Sequence, residues 1–232
     1  MSDSLSRIPL FQHLSAHRLA GLRAQAKLQR AAKGSVIFRQ GARADSVWVI
    51  LEGWLHLVHE AASTPAAPQK PRPHAVVLFT ITPTEVICGL SAIELGTYTA
   101  SGVAGTASKL LRIPQQVFSD ALIHEPDFTY HVLRLCAQRL RRMAEHYGSM
   151  DDSVSHRIIR SILRLQEQFG ATLPMTHREL AQMSWTTTES AIRTVRSLKR
   201  QGLLTGTRGQ LFVSQPVRLQ RLLESNGGPS SV

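Results

Sequence analysis

Glu189, Arg193, Arg196 and Arg200 follow one another at intervals of four, three and four residues, so on a helix they share one face. A carboxylate and a guanidinium one turn apart, near the front of a helix, have a definite chemistry open to them. The Arg193 side chain can present two parallel donors to guanine O6 and N7, and Glu189 can accept from cytosine N4. Arg196, Lys199 and Arg200 lie further along, where phosphate oxygens are the natural partners and charge positions without reading sequence. The hydroxyls of Thr176, Thr187 and Thr188 and the imidazole of His177 are placed to touch the same backbone. The plainer alternative is a solvated helix with an internal Glu189–Arg193 pair.

The neighbouring sequence supplies the elements such a helix needs. Thr176 with Glu179 three residues on is a capping box, which predicts a short helix from about His177 to Met183. A second helix starts near Thr187, with Ala191, Ile192, Val195 and Leu198 turned inward, and Gly202 ends it. "LLTGTRGQLFV" then predicts two short strands around a glycine-bearing turn. Helix, turn, helix and hairpin make a winged helix-turn-helix, whose second helix enters the major groove of double-stranded DNA. The charge agrees. The chain carries 27 Lys and Arg against 16 acids, and residues 154–222 hold 11 of the bases but only Glu167, Glu179 and Glu189 as acids.

Upstream, an amphipathic helix is expected from Ser15 to about Leu28. Beyond it "GSVIFRQGARADSVWVILEGWLHLVHE" alternates apolar and polar residues between glycines 34, 41 and 53, the pattern of short antiparallel strands. Strands resume at "HAVVLFTI", "TEVICGL" and "SKLLRIP" after a Pro/Ala-rich loop over 61–73, giving a β-roll or barrel. Helical period returns near Asp127, where Leu133, Ala137, Leu140, Ala144 and Tyr147 form one stripe. That stripe either packs on the chain's own barrel or forms the seam of a homodimer. Asp151, Asp152 or Ser153 caps a helix over Val154–Phe169 that stops at Gly170. The expected fold is α+β, with a sensor domain over 1–125, a dimerisation helix and hinge over 126–150, and a DNA-binding domain over 151–232.

Other classes are excluded or left without support. No apolar run reaches the roughly 18 residues of a membrane span, and the N-terminus does not read as a signal peptide, so a cytoplasmic protein with no membrane partner is expected. Cys88 and Cys136 are too few for a disulfide framework or a cysteine metal site. His56, His59 and His74 read as surface histidines, and no metal site is expected. No nucleophile–base pair, P-loop or paired-carboxylate site points to an enzyme. A β-roll module acting through protein partners, and a DNA-binding protein that senses nothing, remain as rivals.

The β-roll segment, the long helix and the winged motif, in that order, resemble the Crp/Fnr family of bacterial transcription regulators over roughly residues 10–222. The resemblance implies a homodimer on a palindromic operator, RNA polymerase as partner, and base reading by a Glu and an Arg four residues on, here Glu189 and Arg193. Thr188 and Ile192 depart from the family's neighbouring specificity residues, so only a core G·C pair is carried over. Trp185 stands in the turn where the family commonly has Gly; either the turn is reshaped or the indole packs against the barrel, which is the favoured reading. In nucleotide-binding members a Gly-Glu grips the ribose and an Arg-Ser pair the cyclic phosphate. Here Gly89 takes the Glu position, Thr99 or a neighbour takes the Arg position, and no Lys or Arg occurs from Cys88 to Ser108. A sensor that does not take cyclic AMP in the usual mode is therefore expected. Two cysteines also cannot supply the four ligands of the family's iron–sulfur cluster. Cys88, Gly89 and Thr99 remain the effector-pocket candidates, with Cys88 a plain buried thiol, a haem ligand or a thiol sensor.

Overall fold

The computed structural model describes residues 5–6, 8–59, 76–87, 93–94, 96–148, 151–207 and 209–224. The chain divides into two compact units, Met1–Ala144 and Glu145–Val232. The class is α+β, as the sequence predicts.

The first unit opens with a 3-10 turn, Pro9–His13, and helix α1, Ala16–Gln25, whose cap Ser15 accepts from the Arg18 amide. Eight strands follow: β1 (Lys27–Ala31), β2 (Val36–Phe38), β3 (Ser46–Glu52), β4 (Leu55–His59), β5 (Val76–Ile81), β6 (Val86–Ile87), β7 (Ser101–Ala104) and β8 (Ser108–Pro114). They pair antiparallel in two four-stranded sheets, ordered β1-β8-β3-β6 and β2-β7-β4-β5. Helix α2, Gln115–His124, and most of helix α3, Pro126–Gly148, complete the unit, the last residues of α3 falling in the second.

Strand β3 explains the roll's stability. Val47 and Val49 belong to the core cluster that holds Leu22, Phe118, Phe128 and Val132 of the helices. Trp48 and Ile50, on the opposite face, belong to the cluster with Phe38, Tyr98 and Leu110. Both faces are therefore dry, and "SVWVILE" reads as an almost continuous apolar run rather than an alternation. Inside, Phe38 lies 4.4 Å from the Tyr98 ring and 6.1 Å from that of Trp48, and the Trp48 indole donates to the Tyr98 hydroxyl at 3.2 Å. The Tyr98 hydroxyl donates on to the Ser46 carbonyl at 3.0 Å, so the buried polar atoms of the pair are satisfied.

Several expectations are corrected. The first helix stops at Gln25, and Leu28 lies in β1, opposite Leu111 of β8. Strand β7 and helix α2 are elements beyond those the sequence pattern predicts. In β7 the reason is volume: Gly102 faces the Phe38 ring and Gly105, just past the strand's end, faces the Trp54 ring, so small residues replace the β-branched ones that mark strands. His56, expected at the surface, is 5% exposed, edge-on to Trp54 at 4.5 Å with its Nδ1 3.3 Å from the Thr80 hydroxyl. The loop over 61–73, His74, and most of "TEVICGL" beyond Ile87 lie outside the described residues.

The first helix wholly in the second unit is α4, Val154–Phe169, capped by Ser153, whose side chain accepts from the His156 amide. It continues through β9 (Thr172–Leu173), α5 (His177–Met183), α6 (Thr188–Arg200), β10 (Leu204–Thr205), β11 (Leu211–Val213) and α7 (Pro216–Glu224). The hairpin β10–β11 is the predicted wing. It gains a third strand, β9, which pairs with β11 through Leu173↔Leu211. One cluster, including Ile158, Ile162, Leu180, Ala191, Val195, Leu198, Leu211 and Leu219, binds all of these elements.

Two glycines give opposite expectations. Gly105→Ala would drive a methyl group into the Trp54 ring and should destabilise the chain by about 1–3 kcal/mol in urea denaturation. Gly21→Ala, in α1 with nothing within 4 Å, should stabilise it by about 0.5–1 kcal/mol.

Candidate nucleic-acid interface

The turn between α5 and α6 sets the aim of everything after it. The capping box is complete: the Thr176 amide and hydroxyl donate to Glu179 Oε2 at 2.6 and 2.9 Å, and the Glu179 amide donates back to Thr176 Oγ1 at 3.2 Å. At the other end of α5, Ser184 is wholly buried and donates to Ser161 of α4 at 2.9 Å. Trp185 then takes φ +48°, the left-handed conformation that glycine usually supplies. The turn thus keeps the backbone geometry a glycine would give while carrying an indole. Such a residue costs on the order of 1 kcal/mol or more and persists only where its surroundings hold it. Here the Arg157 guanidinium donates to the carbonyls of Ser184 at 3.2 Å and Trp185 at 3.4 Å, and to that of Asp152 at 3.0 Å.

Thr187 caps α6, its hydroxyl oxygen accepting from the Ser190 amide at 3.2 Å. Ala191, Thr194, Val195 and Leu198 are buried, while Glu189, Arg193, Arg196 and Arg200 are exposed. Ile192 departs from expectation. It is half-buried, and lines an open groove with Glu189, Arg193, Arg196, Lys199 and Arg200, while Thr194 takes the inward place. Among the described residues no ion pair engages Glu189, Arg193, Arg196 or Arg200, so the internal Glu189–Arg193 pair is not formed. Glu189 in the first turn and Lys199 and Arg200 in the last also suit the helix dipole.

Other residues singled out in the sequence have structural duties. The Thr176 hydroxyl is engaged in its capping box, and Thr188 is half-buried at the first position of α6. Lys199 donates to the Gly206 carbonyl at 2.7 Å and so fastens α6 to the wing. His177 is half-buried; desolvation first, then the charges of Lys199 and Arg196, hold its pKa below the ordinary histidine value. Arg157, Ser161 and Ser184 carry no sequence signal of these roles, because their partners lie 23–28 residues away.

In the first unit, Cys88 and Gly89 lie outside the described residues, and Thr99 is exposed with its carbonyl 3.3 Å from His59 Nδ1. On α3, Leu133, Ala137, Leu140, Ala144 and Tyr147 are all exposed, the three largest by 61%, 69% and 72%. Phe128 and Val132, on another face, carry that helix's packing against the roll. Away from both regions His13, Asp127 and His131 bring ligand atoms within 4.8 Å of one another, a grouping with no sequence signature because His13 lies 114 residues before Asp127.

Residues 28–125 match the family described as cyclic nucleotide-binding domain, and residues 156–222 match the Crp-like helix-turn-helix domain. A CRP-like cAMP-activated global transcriptional regulator of Mycobacterium tuberculosis is 21% identical over 230 residues, covering 95% of this chain and 99% of that protein. Among solved structures, FixK2 from Bradyrhizobium japonicum superposes with a TM-score of 0.74 at 14% identity, over 85% of this chain and 96% of that one. A Crp/Fnr-family protein from Eubacterium rectale gives 0.72 at 17% identity, over 93% and 98%. No helix among the described residues is long and apolar enough to cross a membrane.

The depressed His177 pKa has a signed consequence. The unfolded chain takes up this proton at higher pH than the folded one, so stability is full above the ordinary histidine range and falls as pH drops through it. Thermal melts at pH 7.5 and 5.5 should show a smaller acid loss for His177→Gln than for the wild type; equal losses would contradict it.

Proposed function

We propose, for a chain that belongs to the Crp/Fnr family of transcription regulators, that it acts as a homodimer reading a palindromic operator through Glu189 and Arg193. The observation that carries this reading is the exposure of a carboxylate and a guanidinium, unpaired with each other, at the front of a helix whose opposite face is buried. Arg193 takes guanine O6 and N7, and Glu189 takes cytosine N4 of the adjoining base pair. Arg196 and Arg200 hold phosphates, joined by the Thr187 and Thr188 hydroxyls and by His177, while Lys199 and Thr176 hold the elements in place. Residues 151–232 serve as the DNA-binding domain and 1–125 as the sensor, with 126–150 as dimer helix and hinge. RNA polymerase is the protein partner in the cytoplasm, and no catalytic role is assigned.

The exposed stripe of α3 supports the dimer. Leu133, Leu140 and Tyr147 are costly to leave in water, and a second copy of the same helix offers a matching seam. Two-fold symmetry then sets half-sites about one helical turn apart.

The sensor departs from the cAMP-activated relative. The absence of any Lys or Arg from Cys88 to Ser108 leaves that stretch without a side-chain cation for a cyclic phosphate. Phe38, Trp48 and Tyr98 also fill space between the two sheets with aromatic rings. Both features support a sensor that does not use cyclic AMP in the relative's manner.

Binding sites recovered from random-sequence duplexes provide the test by fluorescence anisotropy. Arg193→Ala should lose about 1–3 kcal/mol of discrimination at one base pair per half-site, with little change on unrelated DNA; equal loss on both would contradict base reading. Arg200→Ala should weaken all sequences alike and lower the slope of log affinity against log salt by about 1 for each recognition helix. An unchanged slope would remove Arg200 from the phosphate contacts.

A further inference from the structure

The 3-10 turn Pro9–His13 meets the first turns of α3 at a small polar cluster unconnected with the wing or the roll interior. His13 Nδ1 lies 2.9 Å from Asp127 Oδ2. His131, one helical turn after Asp127, has its Nδ1 3.6 Å from Asp127 Oδ1 and 2.9 Å from the Asp127 carbonyl. The two imidazole rings stack with centroids 3.3 Å apart and planes inclined by 11°. Two histidines thus converge on one carboxylate from segments more than a hundred residues apart.

The cluster is built on rigid parts. Phe11, two residues before His13, is fully buried and stacks on Phe128 at 6.0 Å, and Phe128 adjoins Asp127 and meets Phe118 edge-on at 5.5 Å. Just beyond, Ser15 donates to Glu125 and Arg18 pairs with Asp120. The turn carrying His13 is therefore fastened to the α2–α3 corner by both packing and polar bonds. The two imidazoles are mostly covered, with 31% and 23% of their side chains exposed, while Asp127 is 68% exposed, which leaves one side open to water.

These distances suit a shared ion. Tetrahedral ligand bonds of about 2.0–2.2 Å put neighbouring donor atoms about 3.3–3.6 Å apart. The Nδ1 atoms of His13 and His131 lie 2.9 and 3.6 Å from different oxygens of Asp127. One ligand atom from each residue falls within 4.8 Å of the others, so the rings need only turn apart from their stack to converge on one ion. Two imidazole nitrogens with one carboxylate oxygen favour Zn²⁺, Co²⁺ or Ni²⁺ over the oxygen-seeking Ca²⁺ and Mg²⁺. We propose that His13, His131 and Asp127 form a binding site for one divalent transition-metal ion per chain, with one nitrogen from each ring, one carboxylate oxygen, and water completing the shell. The ion ties the N-terminal turn to the root of α3, the helix that bears the exposed apolar stripe. It also stabilises the folded chain by mass action, since the three ligands come together only on folding. Metal binding here does not depend on what α6 contacts.

The test uses the full-length chain, stripped of metal and titrated with Zn²⁺ and with Co²⁺. One ion per chain, a rise in Tm with Zn²⁺, and visible d–d bands with Co²⁺ are expected. His13→Gln and His131→Gln, which keep side-chain size, should each weaken binding at least about tenfold, and Asp127→Asn should weaken it too. His17→Gln and His124→Gln, outside the cluster, should bind as the wild type does. Far-UV circular dichroism of each variant checks folding, and if one glutamine variant unfolds the other still decides the matter. No stoichiometric binding would overturn the site. So would full retention in folded His13→Gln or His131→Gln protein, which would place the ion on others of the chain's ten histidines.

Discussion

Helix α6 can bury only one face, and that limit governs its exposed charged surface. Ala191, Val195 and Leu198 enter the same core as Leu180 and Ala181 of α5 and Ile158 and Ile162 of α4. Turning the helix to hide its arginines would expose these residues and bury unpaired cations, a penalty that no new packing could offset. Once the apolar side is fixed, the spacing of four, three and four leaves no choice for Glu189, Arg193, Arg196 and Arg200. The outward placement of these four side chains is thus enforced from behind, by packing. The α5–α6 turn contributes the angle. Its Trp185 occupies a conformation tryptophan does not favour, and Arg157 holds it there through two carbonyls. The same Arg157 reaches back to Asp152 at the start of α4, so helix entry and turn share one guanidinium.

The roll shows the same economy. Strands β3 and β8 have a dry face on each side, one packed on helices and the other on aromatic rings. Glycines at 102 and 105 make room for Phe38 and Trp54, so the aromatic filling and the small residues of β7 are two sides of one packing solution. Helix α3 joins this structure through Phe128 and Val132, and Arg139 further along donates to the Val86 carbonyl of β6. Its other apolar side stays uncovered, which gives the helix two separate packing jobs.

Features with short-range causes were legible in the sequence. The capping box of α5, the exposed face of α6, the wing and the stop at Gly170 all follow from residues within a few positions of one another. Where the cause is distant, pattern reading failed or fell silent. Leu28 looks helical beside Leu22 until β8 offers it a partner. Ile192 fits an inward stripe by spacing, yet Thr194 takes the buried place and leaves Ile192 beside the charged groove. His56 alternates as a surface residue would, but the Trp54 ring and Thr80 of the paired strand β5 lie against it. Nothing local ties His13 to His131; the Phe11–Phe128 stack and the Ser15–Glu125 and Arg18–Asp120 bonds bring them together.

The central claim, that Arg193 touches the edge of a guanine, is tested most directly by changing the base atom instead of the side chain alone. Replacing the core guanine of a bound site with 7-deazaguanine deletes one acceptor and leaves Watson–Crick pairing intact. Affinities of wild type and Arg193→Ala for both duplexes then form a double-mutant cycle. Base reading predicts that the deaza substitution weakens the wild type by about 1 kcal/mol or more and leaves the variant nearly unaffected. Equal weakening of both proteins would contradict it.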